Sequence, residues 1–167
     1  MGQLDHRIQA DETHPIDIAE AVALRRGWDS ERMADDQIAV TVRGQWRDHA
    51  LTLAWSARDE MLRLICCFDL DPPEARMPGL CQVLNLVNDE VWDGSFTFWA
   101  QQRVMVWRYG LVLSGQALAE AGQIERMIRS AVESCERFHP SFQSACRGGE
   151  PEAALALALS GTLGRAA

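Results

Sequence analysis

Gln37-Ile38-Ala39-Val40-Thr41-Val42-Arg43-Gly44 sets Ile38, Val40 and Val42 against Ala39, Thr41 and Arg43, the period of two that marks a half-buried β-strand. Gly44 supplies a turn, and the alternation resumes with His49, Leu51, Leu53 and Trp55 on one face of a second strand. Ser56 to Asp59 link it to a third strand, where Leu62, Leu64, Cys66 and Phe68 share a face while Ile65 and Cys67 line the other. Apolar residues on both faces place that third strand in the middle of a sheet. Links this short join antiparallel neighbours, because a parallel pair needs a crossover of about a dozen residues or more.

Upstream, Thr13 or His14 caps a helix that Pro15 opens, Ile16, Ala19, Val22 and Ala23 form its apolar stripe, and Gly27 ends it. Downstream, Asp71-Pro72-Pro73 breaks the third strand and Glu74 to Trp92 turns helical through Leu80, Leu84, Val87 and Val91. Gly79 costs that helix about 1 kcal/mol against Ala, so an irregular first turn is expected. Past Gly94, Phe96 and Phe98 alternate with Thr97 and Trp99 as a fourth strand, and Ala100 to Arg103 make a turn. The fifth strand, Val104 to Leu113, carries Val104, Val106 and Val112 on one face and Met105, Trp107, Tyr109, Leu111 and Leu113 on the other, which places it inside the sheet.

Helical spacing returns from Leu118 to Phe138, and Pro140 is expected to stop it. Arg147-Gly148-Gly149 reads as a joint before a tail helix that opens at Pro151 and exits at Gly161. Leu155, Leu157 and Leu159 share no stripe there, so the tail needs a groove or a partner to bury both sides. The order is α-β-β-β-α-β-β-α plus the C-terminal tail helix. It predicts an α+β fold on a largely antiparallel five-stranded sheet. The chain divides into a polar leader (1–13), an α+β domain (14–142), and a linker with a short C-terminal helix (143–167).

At 167 residues the chain suffices for one domain with its own core. All sixteen cationic side chains are Arg, against twenty-four carboxylates, and the net charge of −8 opposes a phosphate backbone, so nucleic acid is not expected as a partner. No membrane segment is expected either, since the apolar run Ala153 to Leu159 falls far short of the roughly 20 residues that cross a bilayer. The residues from Met1 to Asp11 lack the apolar stretch of a secretory signal. Cys66, Cys67, Cys81, Cys135 and Cys146 include no C-x-x-C and sit mostly among apolar neighbours, the pattern of free thiols in a reducing cytoplasm.

Leu84-Asn85-Leu86-Val87-Asn88-Asp89-Glu90-Val91-Trp92-Asp93-Gly94-Ser95-Phe96, followed by Val106-Trp107-Arg108-Tyr109-Gly110-Leu111, resembles the signature of the YbjN-like family, named for bacterial sensory transduction regulation. Gly27-Trp28, Trp46-Arg47 and Glu136-Arg137-Phe138-His139-Pro140-Ser141-Phe142 extend the resemblance over His14 to Phe142. It implies a fold similar to the dimeric chaperones of type III secretion, small acidic proteins that hold client segments on apolar patches. It brings no catalytic residues.

Motifs for chemistry are missing. No G-x-S-x-G surrounds Ser114, and a chain without lysine has no phosphate-binding G-x-x-x-x-G-K. His6, His14, His49 and His139 stand at no zinc spacing, so surface or capping roles are expected of them. Cys66 and Cys67 point to opposite faces of a strand and read as packing residues. Asp69, Asp71 and Glu74 lack the glycine and ligand spacing of a calcium loop and read as a solvated strand end. No enzyme activity, cofactor or metal is expected.

Two residues stand out as candidate partner contacts. Arg108 falls on the Val104, Val106 and Val112 face of an interior strand, where a buried guanidinium would need Asp89 or Glu90 as its partner or would grip a carboxylate of another protein. Trp99 alternates out of register with Phe96 and Phe98, and tryptophan commonly anchors interfaces; Trp28, Trp46, Trp55, Trp92 and Trp107 are expected in the core or against helices. The expectation is a non-enzymatic regulatory or chaperone-like protein-binding module, a homodimer with a protein partner. The alternative is a small-molecule sensor with its pocket between sheet and helices.

Overall fold

The alternating apolar residues meet across strands in continuous rows. Ile38 faces Leu53 and Leu53 faces Leu64, while Val40 faces Leu51, Leu51 faces Cys66 and Cys66 faces Trp107. All seven are at most 1% exposed. The computed structural model describes residues 14–115 and 117–163, so the 1–13 leader lies outside the described residues.

The described elements are α1 (Pro15–Arg26), β1 (Asp29–Ala34), β2 (Gln37–Arg43), β3 (Asp48–Ser56), β4 (Met61–Asp69), α2 (Met77–Glu90), β5 (Ser95–Trp99), β6 (Val104–Val112), α3 (Ala121–Cys146) and α4 (Pro151–Leu163). The strands form one antiparallel sheet in the order β1-β2-β3-β4-β6-β5. The fold is α+β, with β4 and β6 inside the sheet.

The sheet has six strands rather than the expected five. The added strand, β1, pairs Asp29 with Thr41 through Arg32 with Ile38, and its register slips between Arg32 and Ala34. Apart from Arg32 its residues are exposed, so it carries no apolar alternation for a period-of-two reading to find. Backbone bonds to β2 hold it, and Arg32 adds ion pairs to Asp17 at 2.7 Å and Glu20 at 3.3 Å on α1.

One core lies between the apolar sheet face and the helices. α1 packs on β1 to β3, α3 on β4 and β6, and α2 on β5. Ile16, Ala19, Val22 and Ala23 are the buried stripe of α1, capped by His14, whose Nδ1 accepts from the Ile16 N–H at 3.3 Å, and closed by Gly27 at φ 67°. A 3-10 turn, Glu74–Arg76, precedes α2, which ends at Glu90 and not at Trp92.

Pro140 does not stop α3, which begins at Ala121 rather than Leu118 and continues to Cys146. Proline inside a helix costs about 3 kcal/mol. Beyond it, however, Ser141, Phe142 and Ala145 are buried at 1% exposure or less, and burying one phenylalanine alone offsets much of that cost. Likewise Gly161 lies within α4, which runs to Leu163. The tail packs on α2 and α3 of its own chain, and its fully buried stripe is Ala154 and Ala158, at 0% and 4% exposure, with Leu155 half-buried against the core and Leu157 exposed.

The opposite face of the sheet carries the cross-strand row Ala39, Thr52, Ile65, Arg108 and Ser95, all half-buried or exposed. Val106, flanked by Cys67 and Thr97, is the one fully buried apolar side chain in that neighbourhood and stands apart from the main core.

Candidate functional site

Both residues singled out from the sequence fall on this outer face. Trp99 pairs with Val104 and Arg108 with Ser95 and Ile65, which puts indole and guanidinium along the β5–β6 strip with Val104, Val106, Cys67 and Ile65 around them. Trp99 is 38% exposed. Arg108 is exposed too, and the expectation that it is buried and paired with Asp89 or Glu90 is corrected: those carboxylates sit exposed at the end of α2, and among the described residues Arg108 makes no ion pair. Because Arg108 itself is exposed, the guanidinium keeps its hydration and needs no partner.

Trp92 and Trp46, expected to pack, are 96% and 73% exposed in loops before β5 and β3. The expected helix runs to Trp92, but α2 ends at Glu90, which leaves Trp92 in the loop beside Asp93-Gly94. Trp107 is fully buried, and Trp28 and Trp55 pack on the core as expected.

The motif between α2 and β6 is accounted for by packing. The Asn88 side chain bonds the Phe96 backbone, and Asp93 accepts from the Ser130 hydroxyl at 2.5 Å and pairs with Arg126 at 3.6 Å. Gly94 lies under the Trp107 indole, where a Cβ would stand 2.3 Å from the ring. Trp107 in turn stacks on Tyr109 with an interplanar angle of 8°.

A second cluster, missed in the sequence, gathers on the core face of the sheet. His49 on β3 is 2% exposed, not a surface or capping residue, and its Nε2 lies 3.4 Å from Oε1 of Glu136 on α3. Glu136 also accepts from the Gln45 N–H and fills the space under Gly44, where a Cβ would stand 2.1 Å from its carboxylate. Arg47 lies over the Phe68 ring at 4.8 Å, and His139 meets the same ring edge-on. Cys66 and Cys135, both fully buried, complete the cluster.

The Cys135 thiol donating to its sulfur, with His49 and Arg47 nearby, pulls the Cys66 thiol down to about 6 against the opposition of burial. The same contact with Cys66, together with burial, holds the Cys135 thiol high. His49 is raised by its bond to Cys66, then by that thiolate's charge and by Glu136, while burial opposes. His139 is lowered by burial and by Arg47 and His49. No signal in the linear sequence joins these groups, because β3, β4 and α3 bring them together only in three dimensions.

Asp69 and Glu74 are exposed, and Asp71 pairs with Arg103. Among the described residues, no three His, Cys, Asp or Glu side chains are placed to hold a metal ion. A groove of about 550 Å³ lies between α2 and the start of α4, lined by Cys81, Gln82, Asn85, Leu86, Glu150, Pro151 and Glu152, outside the sheet–helix core. Among the described residues no helix is long and apolar enough to cross a membrane.

A model of the family YbjN, described as "Putative bacterial sensory transduction regulator", matches residues 15–144. No curated protein and no solved structure matches the chain.

Proposed function

The chain belongs to the YbjN family, and from that premise we propose that it is a non-enzymatic regulatory or chaperone-like module. It acts as a homodimer and binds an extended segment of a protein partner across the outer face of its sheet. The observation that carries the reading is that Trp99 and Arg108, both exposed and the latter without an ion pair among the described residues, stand on one face of the β5–β6 strip, opposite Val104 and Ser95. An indole supplies a large apolar contact at low entropic cost, and a guanidinium farther along the same face takes a carboxylate through two parallel hydrogen bonds. Val112, 55% exposed at the end of the same β6 face, lengthens the strip. Likeness of fold to the type III secretion chaperones belongs to the same proposal, as does a cytoplasmic location, which five free thiols support.

Light scattering is expected to give the mass of two copies; a monomer at every concentration would remove the homodimer. Affinity capture from the native cell with the wild type, Trp99→Ala and Arg108→Met is expected to recover a partner with the first and lose it with the variants, at unchanged melting temperature. If both variants retain the partner, the outer strip is not the binding face.

A further inference from the structure

On the outer face β6 presents every second residue, Val104, Val106 and Arg108, and the strands on either side extend these into cross-strand rows. Trp99 and Asp69 flank Val104, and Thr97 and Cys67 flank Val106. Val106 is fully buried and its two flanking residues are half-buried, so the middle row offers only a shallow contact. The end rows differ in charge. Asp69 lies in the Trp99 row and Arg108 stands four residues, or about 13 Å, along β6. Both are exposed and neither makes an ion pair among the described residues, whereas the neighbouring Arg63 is taken by Asp59 and Asp71 by Arg103. The strip therefore has an anionic end that carries the indole and a cationic end that does not.

We propose, resting on the reading that the outer face binds a protein segment, that the strip takes an extended segment with an apolar side chain on Trp99 and a carboxylate four residues away on Arg108. An extended segment turns alternate side chains to one face with the same rise as β6, so its positions i, i+2 and i+4 fall on the three rows in step. A helix needs about nine residues to cover that distance and repeats every 3.6 or so, out of step with the rows. The middle position lies over Val106 and takes a small or medium apolar side chain. Charge decides which end is which. A carboxylate over Trp99 would lie beside Asp69 and be repelled, whereas at Arg108 it meets a guanidinium whose donors are not engaged. Because both charges are exposed, they choose the register more than they add affinity, and contact with the indole supplies most of the attraction.

The probe is a rhodamine-labelled nonapeptide with Phe, Val and Glu at its third, fifth and seventh positions and Ser elsewhere, titrated with the full chain and followed by fluorescence anisotropy. The wild type is expected to bind it about threefold more tightly than the same peptide with Gln for Glu, the worth of one exposed ion pair. Moving the Glu to the first position, at the Asp69 end, is expected to weaken binding further, to about tenfold. Arg108→Met is expected to bind the Glu and Gln peptides equally, and Arg108→Glu to prefer a peptide with Arg at the seventh position. Trp99→Ala is expected to weaken every peptide by a similar factor. Equal binding of the Glu and Gln peptides by the wild type, with loss in Trp99→Ala, overturns the register and leaves the outer face as the binding surface. Binding that neither substitution alters overturns both, and no binding at millimolar chain, or a Glu preference that survives in Arg108→Met, overturns the proposal. The wild-type series decides the register alone, whether or not the variants fold.

Discussion

The side-chain amide of Asn88 grips the backbone of Phe96 at both ends, Oδ1 accepting from its N–H at 2.7 Å and Nδ2 donating to its carbonyl at 3.0 Å. In an antiparallel strand both groups of one residue point to the same side. Asn88 therefore takes the place of a neighbouring strand along β5. Asn88→Ala is expected to cost about 2 to 3 kcal/mol, two half-buried backbone groups losing their partners. Asn88→Asp should do no better, since it loses the donor and sets a charge against a carbonyl. Urea unfolding midpoints at constant slope check both.

Gly94 is small because Trp107 lies on it. With a Cβ at 2.3 Å from the indole, Gly94→Ala must move a fully buried ring, and overpacking of that kind costs about 1 to 3 kcal/mol. Gly122, with open space around its Cβ position, serves as the control: Gly122→Ala in the first turn of α3 is expected to be neutral or slightly stabilising. Thermal unfolding followed by Trp fluorescence separates the two.

The His49–Cys66 pair makes stability depend on pH in two opposite ways. Cys66 titrates lower in the folded chain, so its contribution is complete above its ordinary value of about 8.5 and is lost as pH falls towards about 6. His49 titrates higher, so its contribution is complete below its ordinary value of about 6.5 and is lost as pH rises through the raised value. His49→Gln is expected to erase the second dependence and to move Cys66 upward. Ultraviolet thiolate absorbance across this range measures the shift, and unfolding midpoints at each pH measure the stability.

The seat of α4 is narrow because alanines make it. Ala154→Leu is expected to cost about 1 to 3 kcal/mol by overpacking against α2 and α3, and to raise amide hydrogen exchange throughout the tail helix. Leu157→Ala, at a position 50% exposed, is expected to change stability by less than about 0.5 kcal/mol.

Where burial imprinted a period, the linear sequence was readable. Ile16, Ala19, Val22 and Ala23 on α1, and the alternating strands β2, β3, β4 and β6, follow the expected stripes and faces. β1 left no such imprint because backbone pairing, not side-chain burial, holds it. Pro140 misled because local cost was weighed without the burial of Phe142 beyond it. Arg108 misled for the reverse reason: an interior strand is enclosed by its neighbours on both sides, yet one of its faces still meets water. Trp99 and Arg108 could be singled out by type and alternation. The cluster of His49, Cys66, Cys135 and Glu136 could not, since contact across three elements has no spacing to read.

The two flanks of the sheet share a property that limits how this molecule meets others. On one flank β1 is short and charged, and its register slips between Arg32 and Ala34; on the other, Asn88 occupies the outward backbone groups of Phe96. A flank of either kind is a poor template for a foreign strand. Recognition by strand addition is disfavoured, and so is edge-to-edge polymerisation into a cross-β fibre. Whatever engages this chain must lie across a surface and be selected by side chains, which makes specificity a matter of sequence in the guest and not of its backbone.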